Sequence, residues 1–172
     1  MDWLSEAARS RRFPALPDTL RDQLSKIAPS DGGLYRPCQV KLRSGRVVDR
    51  VYFAEAERWF RTWGVWPEED SGKQWLDVGE VACAEESPSR LPPKFANQLY
   101  DAGESGMGYI VFVVCFCDGA QAPFVTGNAV DFIDYPTGQS AATVASVIPH
   151  AGRDEPSLQN APDYFWCLYS DA

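Results

Sequence analysis

The stretch "DAGESGMGYIVFVVCFCDG", residues 101–119, decides how the rest of the chain is read. Tyr109 to Cys117 are all apolar, so both alternating faces of an extended segment are apolar: Tyr109, Val111, Val113, Cys115 and Cys117 on one, Ile110, Phe112, Val114 and Phe116 on the other. A strand of that kind is central and covered on both sides. The run is about half the length a membrane helix needs, so no membrane span is expected. Asp118-Gly119 supplies a turn after it. Before it stand Gly103, Gly106 and Gly108, with Ser105 between them.

Upstream, Pro92 and Pro93 precede "KFANQLYDAG" and favour a helix start there. Phe95, Leu99 and Ala102 then face the core, and Gly103 ends the helix in a conformation only glycine adopts without strain. Downstream, "PFVTGNAVDFIDY" (123–135) reads as a continuation of the sheet, with Gly127-Asn128 as a turn or bulge. "TGQSAATVASVIPH" (137–150) reads as a short helix capped by Ser140. "YFWCLY" (164–169) reads as a last strand or a docked apolar tail.

Nearer the N-terminus the elements are helical. Residues 2–10 suit a short helix, and Leu20, Leu24 and Ile27 recur at helical spacing until Pro29. "CQVKLRSGRVVDRVYF" (38–53) alternates around Ser44-Gly45 as a hairpin does. "AEAERWFRTWG" (54–64) places Ala56, Trp59, Phe60 and Trp63 on one side of a helix that Gly64 ends. A short strand is expected within "QWLDVGEVACAEE" (74–86).

Helices first and hairpins after give an α+β fold: a mainly antiparallel sheet with N-terminal helices and one or two helices packed on it. The expected organisation is a single globular domain, 1–172, with a helical N-terminal segment (1–33) and a sheet-rich core (34–172). Acids at Asp2 and Glu6 and the lack of an apolar leader point to the cytoplasm. Five cysteines, an odd number, fit free thiols better than a disulfide framework. Cys115 and Cys117 lack the Cys-x-x-Cys spacing of a zinc knuckle, so neither metal nor other cofactor is expected.

The net charge is −8. Nucleic-acid binding is disfavoured, because phosphate contacts need a basic footprint. Residues 55–86 carry nine acids against Arg58, Arg61 and Lys73. Glu68, Glu69 and Asp70, flanked by Trp63, Trp66 and Trp75, form a candidate recognition surface for a basic protein, aromatic anchors beside a charged rim.

Three chemistries compete for the glycine loop. Gly103-Glu104-Ser105-Gly106-Met107 resembles a nucleophile elbow, but the second glycine is one place early and the order is helix-to-strand. A set of Ser105, His150 and Asp131 can be written for acyl transfer, with Asp134 as another group to orient the histidine, and Glu104 with Asp131 and Asp134 for acid/base work or a hard cation. Gly103-x-x-Gly106-x-Gly108 reverses the dinucleotide spacing and leads into a strand, where no helix N-terminus awaits a phosphate. The expected function is therefore a non-catalytic acidic protein-interaction module, an inhibitor or immunity/antitoxin-like partner of a basic protein. The alternative is a small hydrolase or ligand-binding protein centred on loop 103–108.

Overall fold

The apolar run becomes a strand, Ile110–Phe116, in which every residue except Cys115 is buried. The computed structural model describes residues 13–171, so the helix expected at 2–10 lies outside the described residues. Along the described chain the elements are α1 (Asp18–Ser25), β1 (Arg36–Leu42), β2 (Val47–Glu55), α2 (Ala56–Trp63), β3 (Gln74–Trp75), β4 (Val81–Glu85), α3 (Pro93–Ala102), β5 (Ile110–Phe116), β6 (Gln121–Thr126), β7 (Val144–Pro149), β8 (Gln159–Asn160) and β9 (Phe165–Tyr169). The fold is α+β with two mixed, mostly antiparallel sheets, ordered β3-β9-β2-β1-β4 and β7-β5-β6-β8. The contacts gather into two compact units: Pro88–Asp163 with Ser30–Gly32 forms the second, and the other described residues the first.

In the first unit the β1–β2 hairpin turns at Gly45, whose φ of 91° requires a glycine. Strand alternation sends Val51 and Phe53 of β2 into a cluster with Leu20 and Leu24 of α1. Tyr52 points the other way, its ring 5.1 Å from those of both Tyr35 and Trp166. Trp59 of α2 meets Trp166 edge-on at 5.3 Å, so the aromatic stripe of that helix is core, as its spacing implies. Glu55 caps α2 by accepting from the N–H groups of Glu57 and Arg58, and Gly64 ends it with φ 76°. The "YFWCLY" segment is β9, an inner strand parallel to both β2 and β3. Burial raises the pKa of its Cys167 thiol well above the ordinary value, with the neighbouring Cys38 adding to the effect. None of the five cysteines forms a disulfide.

In the second unit α3 starts at Pro93, as the paired prolines predict, and lays Phe95, Ala96 and Leu99 against Ile110, Phe112 and Val114 of β5. The helix expected over 137–150 is instead one 3-10 turn, Ala141–Thr143, followed by β7. Val144 and Val147 bury while Ala145, Ser146 and Ile148 stay exposed, and pairing with β5 outweighs the helix propensity of the alanines. Gly127-Asn128 ends β6 rather than turning a hairpin. The chain after it pairs with residues 89–91, Leu91 N–H donating to Asp131 O at 2.7 Å and Ile133 N–H to Ser89 O at 3.1 Å. No helix among the described residues is long and apolar enough to cross a membrane.

Candidate functional site

The glycine loop joins α3 to β5 within the second unit. Gly103 and Gly108 each have φ 79°, so both are backbone joints. Between them, Ser105 N–H donates to Tyr109 O at 2.9 Å, and the Ser105 hydroxyl accepts the N–H of Val111 at 2.9 Å. A side-chain oxygen thus stands where a neighbouring strand would supply a carbonyl at the head of β5.

The same hydroxyl lies 2.7 Å from Nδ1 of His150, the residue just past β7. On the other side of the ring, Nε2 is 3.1 Å from Ala102 O. A carbonyl only accepts, so Nε2 carries the hydrogen, and in the neutral ring Nδ1 is left to accept from Ser105. The main chain of His150 is held too, its N–H donating to Val111 O at 2.8 Å. Its φ of 60° is one that a non-glycine residue adopts at a cost of about 1–2 kcal/mol. The contacts around the ring offset that strain.

Arg153 completes the closure. Its Nη1 donates to the Tyr109 hydroxyl at 2.6 Å and its Nη2 to Ser105 O at 3.3 Å, while the guanidinium sits 5.3 Å from the Tyr109 ring centre. The Tyr109 ring in turn lies where a side chain on Gly106 would have to go, which explains the middle glycine. The spacing His150-x-x-Arg153 marks Arg153 as a neighbour of the histidine, but nothing local in sequence shows that it reaches back to the loop.

Of the residues that sequence assigns to catalysis, Ser105 and His150 come together. Glu104 sits at the same loop, with Oε2 3.4 Å from Gly108 N. Asp131 does not join them. It is fully buried, its Oδ2 accepts the Tyr100 hydroxyl at 2.5 Å, and both nitrogens of His150 already face Ser105 and Ala102. The arrangement supplies a hydroxyl and a base of suitable tautomer without the carboxylate that would hold an imidazolium. Among the described residues, no group of three or more His, Cys, Asp or Glu side chains gathers as a metal would require.

The acidic, tryptophan-bearing stretch lies in the first unit, and most of its parts are committed internally. Trp66 is buried, its ring 4.3 Å from Phe60 and 5.1 Å from Phe13. Trp63 donates to the Tyr35 hydroxyl at 3.0 Å and carries the Lys73 ammonium 5.1 Å from its ring centre. Asp70 accepts from that ammonium at 2.5 Å and from Gly72 N–H at 2.9 Å. The Lys73 hydrogen bond foremost, then that of Gly72, holds its carboxyl below the usual range. Glu68 and Glu69 are exposed, and Trp75 on β3 shows 49% of its surface.

Charge is distributed otherwise than the stretch suggests. Among its described residues the first unit holds thirteen carboxylates and ten cationic side chains, a net of −3. The second holds nine and three, a net of −6. Of those three cations Arg90 is buried, Lys94 lies over the Phe95 ring and Arg153 is clamped on the loop. Asp101, Glu104, Asp118, Asp134, Asp154, Glu155 and Asp163 are all exposed.

Comparisons of the chain with protein-family models, with curated proteins and with solved structures give no match.

If the Ser105 hydroxyl is a joint of the loop, Ser105→Ala should cost about 1 kcal/mol, because water can replace its bonds at a half-exposed position. Urea unfolding measures that cost. Treatment of the native protein with a fluorophosphonate should leave it unlabelled by mass spectrometry. A covalent adduct at Ser105 that disappears in His150→Asn would make the pair a working nucleophile and base.

Proposed function

We propose that the chain is a non-catalytic protein-interaction module that docks a basic protein, in the manner of an inhibitor or an immunity partner. The observation that carries this reading is the concentration of charge: six of the eight net negative charges belong to the second unit. Within that unit carboxylates outnumber cationic side chains nine to three, and such an excess of one sign steers a cationic partner. The stretch around Glu68, Glu69 and Asp70 is a weaker candidate, because Lys73 answers Asp70 and the rings of Trp63 and Trp66 are engaged within their own unit.

Association kinetics with a lysine-rich peptide test this reading by stopped-flow fluorescence. The wild-type rate should fall severalfold between 50 mM and 500 mM salt, as the Debye length shrinks. Reversing Asp101, Asp154 and Glu155 to Lys should lower the low-salt rate severalfold and flatten the salt dependence. Reversing Glu68 and Glu69 should change it less. A wild-type rate insensitive to salt, or a larger effect from the Glu68/Glu69 pair, would contradict the assignment.

A further inference from the structure

We propose that Met107, at the tip of the glycine loop, is the apolar anchor of this surface and packs against apolar side chains set among lysines or arginines on a partner protein. The inference rests on the interaction reading above and names the place and the contact. Met107 is 98% exposed, against 55% for Val47, 49% for Trp75 and 44% for Ile148, the other large apolar side chains exposed among the described residues. Its thioether is apolar and adapts to the shape of the side chains it meets.

The loop beneath it is held from three sides, by Ser105 on Tyr109 and Val111, by His150 on Ser105 and Ala102, and by Arg153 on Tyr109 and Ser105. A tip presented by so many bonds has little freedom left to lose on binding, which favours affinity. Charge selects the occupant. Glu104 belongs to the loop itself, Asp101 adjoins the Ala102 carbonyl that holds His150, and Asp154 adjoins Arg153. The cation in contact with the loop, Arg153, already has its guanidinium on Tyr109 and Ser105. An apolar anchor within a charged rim is the common plan of an interface centre, and carboxylates in that rim complement a cationic face.

The test uses two lysine-rich peptides of equal charge, one with leucines between the lysines and the other with serines, titrated against the whole chain by calorimetry. Wild type should bind the leucine peptide at least about tenfold more tightly, the effect of burying part of one apolar side chain. Met107→Ser should abolish that advantage without changing affinity for the serine peptide, and Met107→Leu should keep it. A leucine advantage that persists in Met107→Ser overturns the anchor. Equal, salt-sensitive binding of both peptides by wild type also overturns it while leaving the charge reading intact. Binding of neither peptide overturns both.

Discussion

Gly152→Val is expected to destabilise the second unit by about 2–5 kcal/mol, combining backbone strain with overpacking. Gly152 has φ 88°, and a Cβ built there would lie 2.8 Å from Pro123 Cβ and 2.8 Å from Val113 Cγ2. The chain between His150 and Arg153 therefore rests directly on the face of β5 and β6 opposite α3. Val113 cannot retreat without disturbing a strand buried on both faces. Gly138 is the control, since its φ of 84° is similar but its Cβ would meet nothing within 4 Å. Gly138→Val should cost only the conformational part, about 1–2 kcal/mol. Urea unfolding separates the two, and equal losses would show that the close approach at Gly152 is relieved cheaply. Because Arg153 follows Gly152, the same variant should loosen the loop, read as faster amide exchange at Ser105, Tyr109 and Val111.

Tyr100→Phe is expected to cost about 2–4 kcal/mol, a large loss for the removal of one oxygen. That oxygen donates to Oδ2 of Asp131 at 2.5 Å and accepts Val130 N–H at 3.1 Å. Asp131 is fully inaccessible and Val130 equally so, hence water cannot replace either bond. The variant leaves a buried carboxylate short of a donor and a buried N–H without its acceptor. Thermal unfolding at neutral pH gives the comparison, with Tyr135→Phe alongside. The Tyr135 hydroxyl donates only to Arg90 O, at 2.8 Å, and its loss should cost less. Burial raises the pKa of that phenol, so it remains the donor at neutral pH.

Much of the architecture can be read in the chain because its signals are local. The hairpin of residues 38–53, the aromatic helix ended by Gly64, the helix opened by Pro93 and the strand after Tyr109 each carry their own periodicity and punctuation. β7 is obscured because "ATVASV" mixes alanines with β-branched residues, and only the presence of β5 beside it decides in favour of a strand. The parallel insertion of β9 between β3 and β2 is non-local, and no pattern within "YFWCLY" specifies its neighbours.

The site is legible in part for the same reason. Ser105 and His150 stand out as residue types at loops, and their contact is real, yet its character depends on Val111 N–H and Ala102 O, backbone groups that no side-chain pattern marks. Asp131 stands between Val130 and Phe132-Ile133, an apolar setting that is itself a sign of burial. Trp66 precedes Pro67 and heads an acidic run, which suggests exposure, but its ring is large enough that packing on Phe60 takes precedence. Charge runs in sequence likewise overstate the field of the first unit, because folding places Lys73 on Asp70 and Arg61 on Glu57.

Amide chemical-shift mapping of the isotope-labelled chain, titrated with the leucine-containing lysine peptide at 50 mM salt, tests the central claim most directly. The largest shifts should fall at residues 101–109 and 150–155, centred on Met107, and should fade at 500 mM salt as screening removes the attraction between exposed charges. Shifts centred on residues 63–80 would place recognition in the first unit, and shifts scattered over both units with no centre at the loop would contradict a specific docking surface.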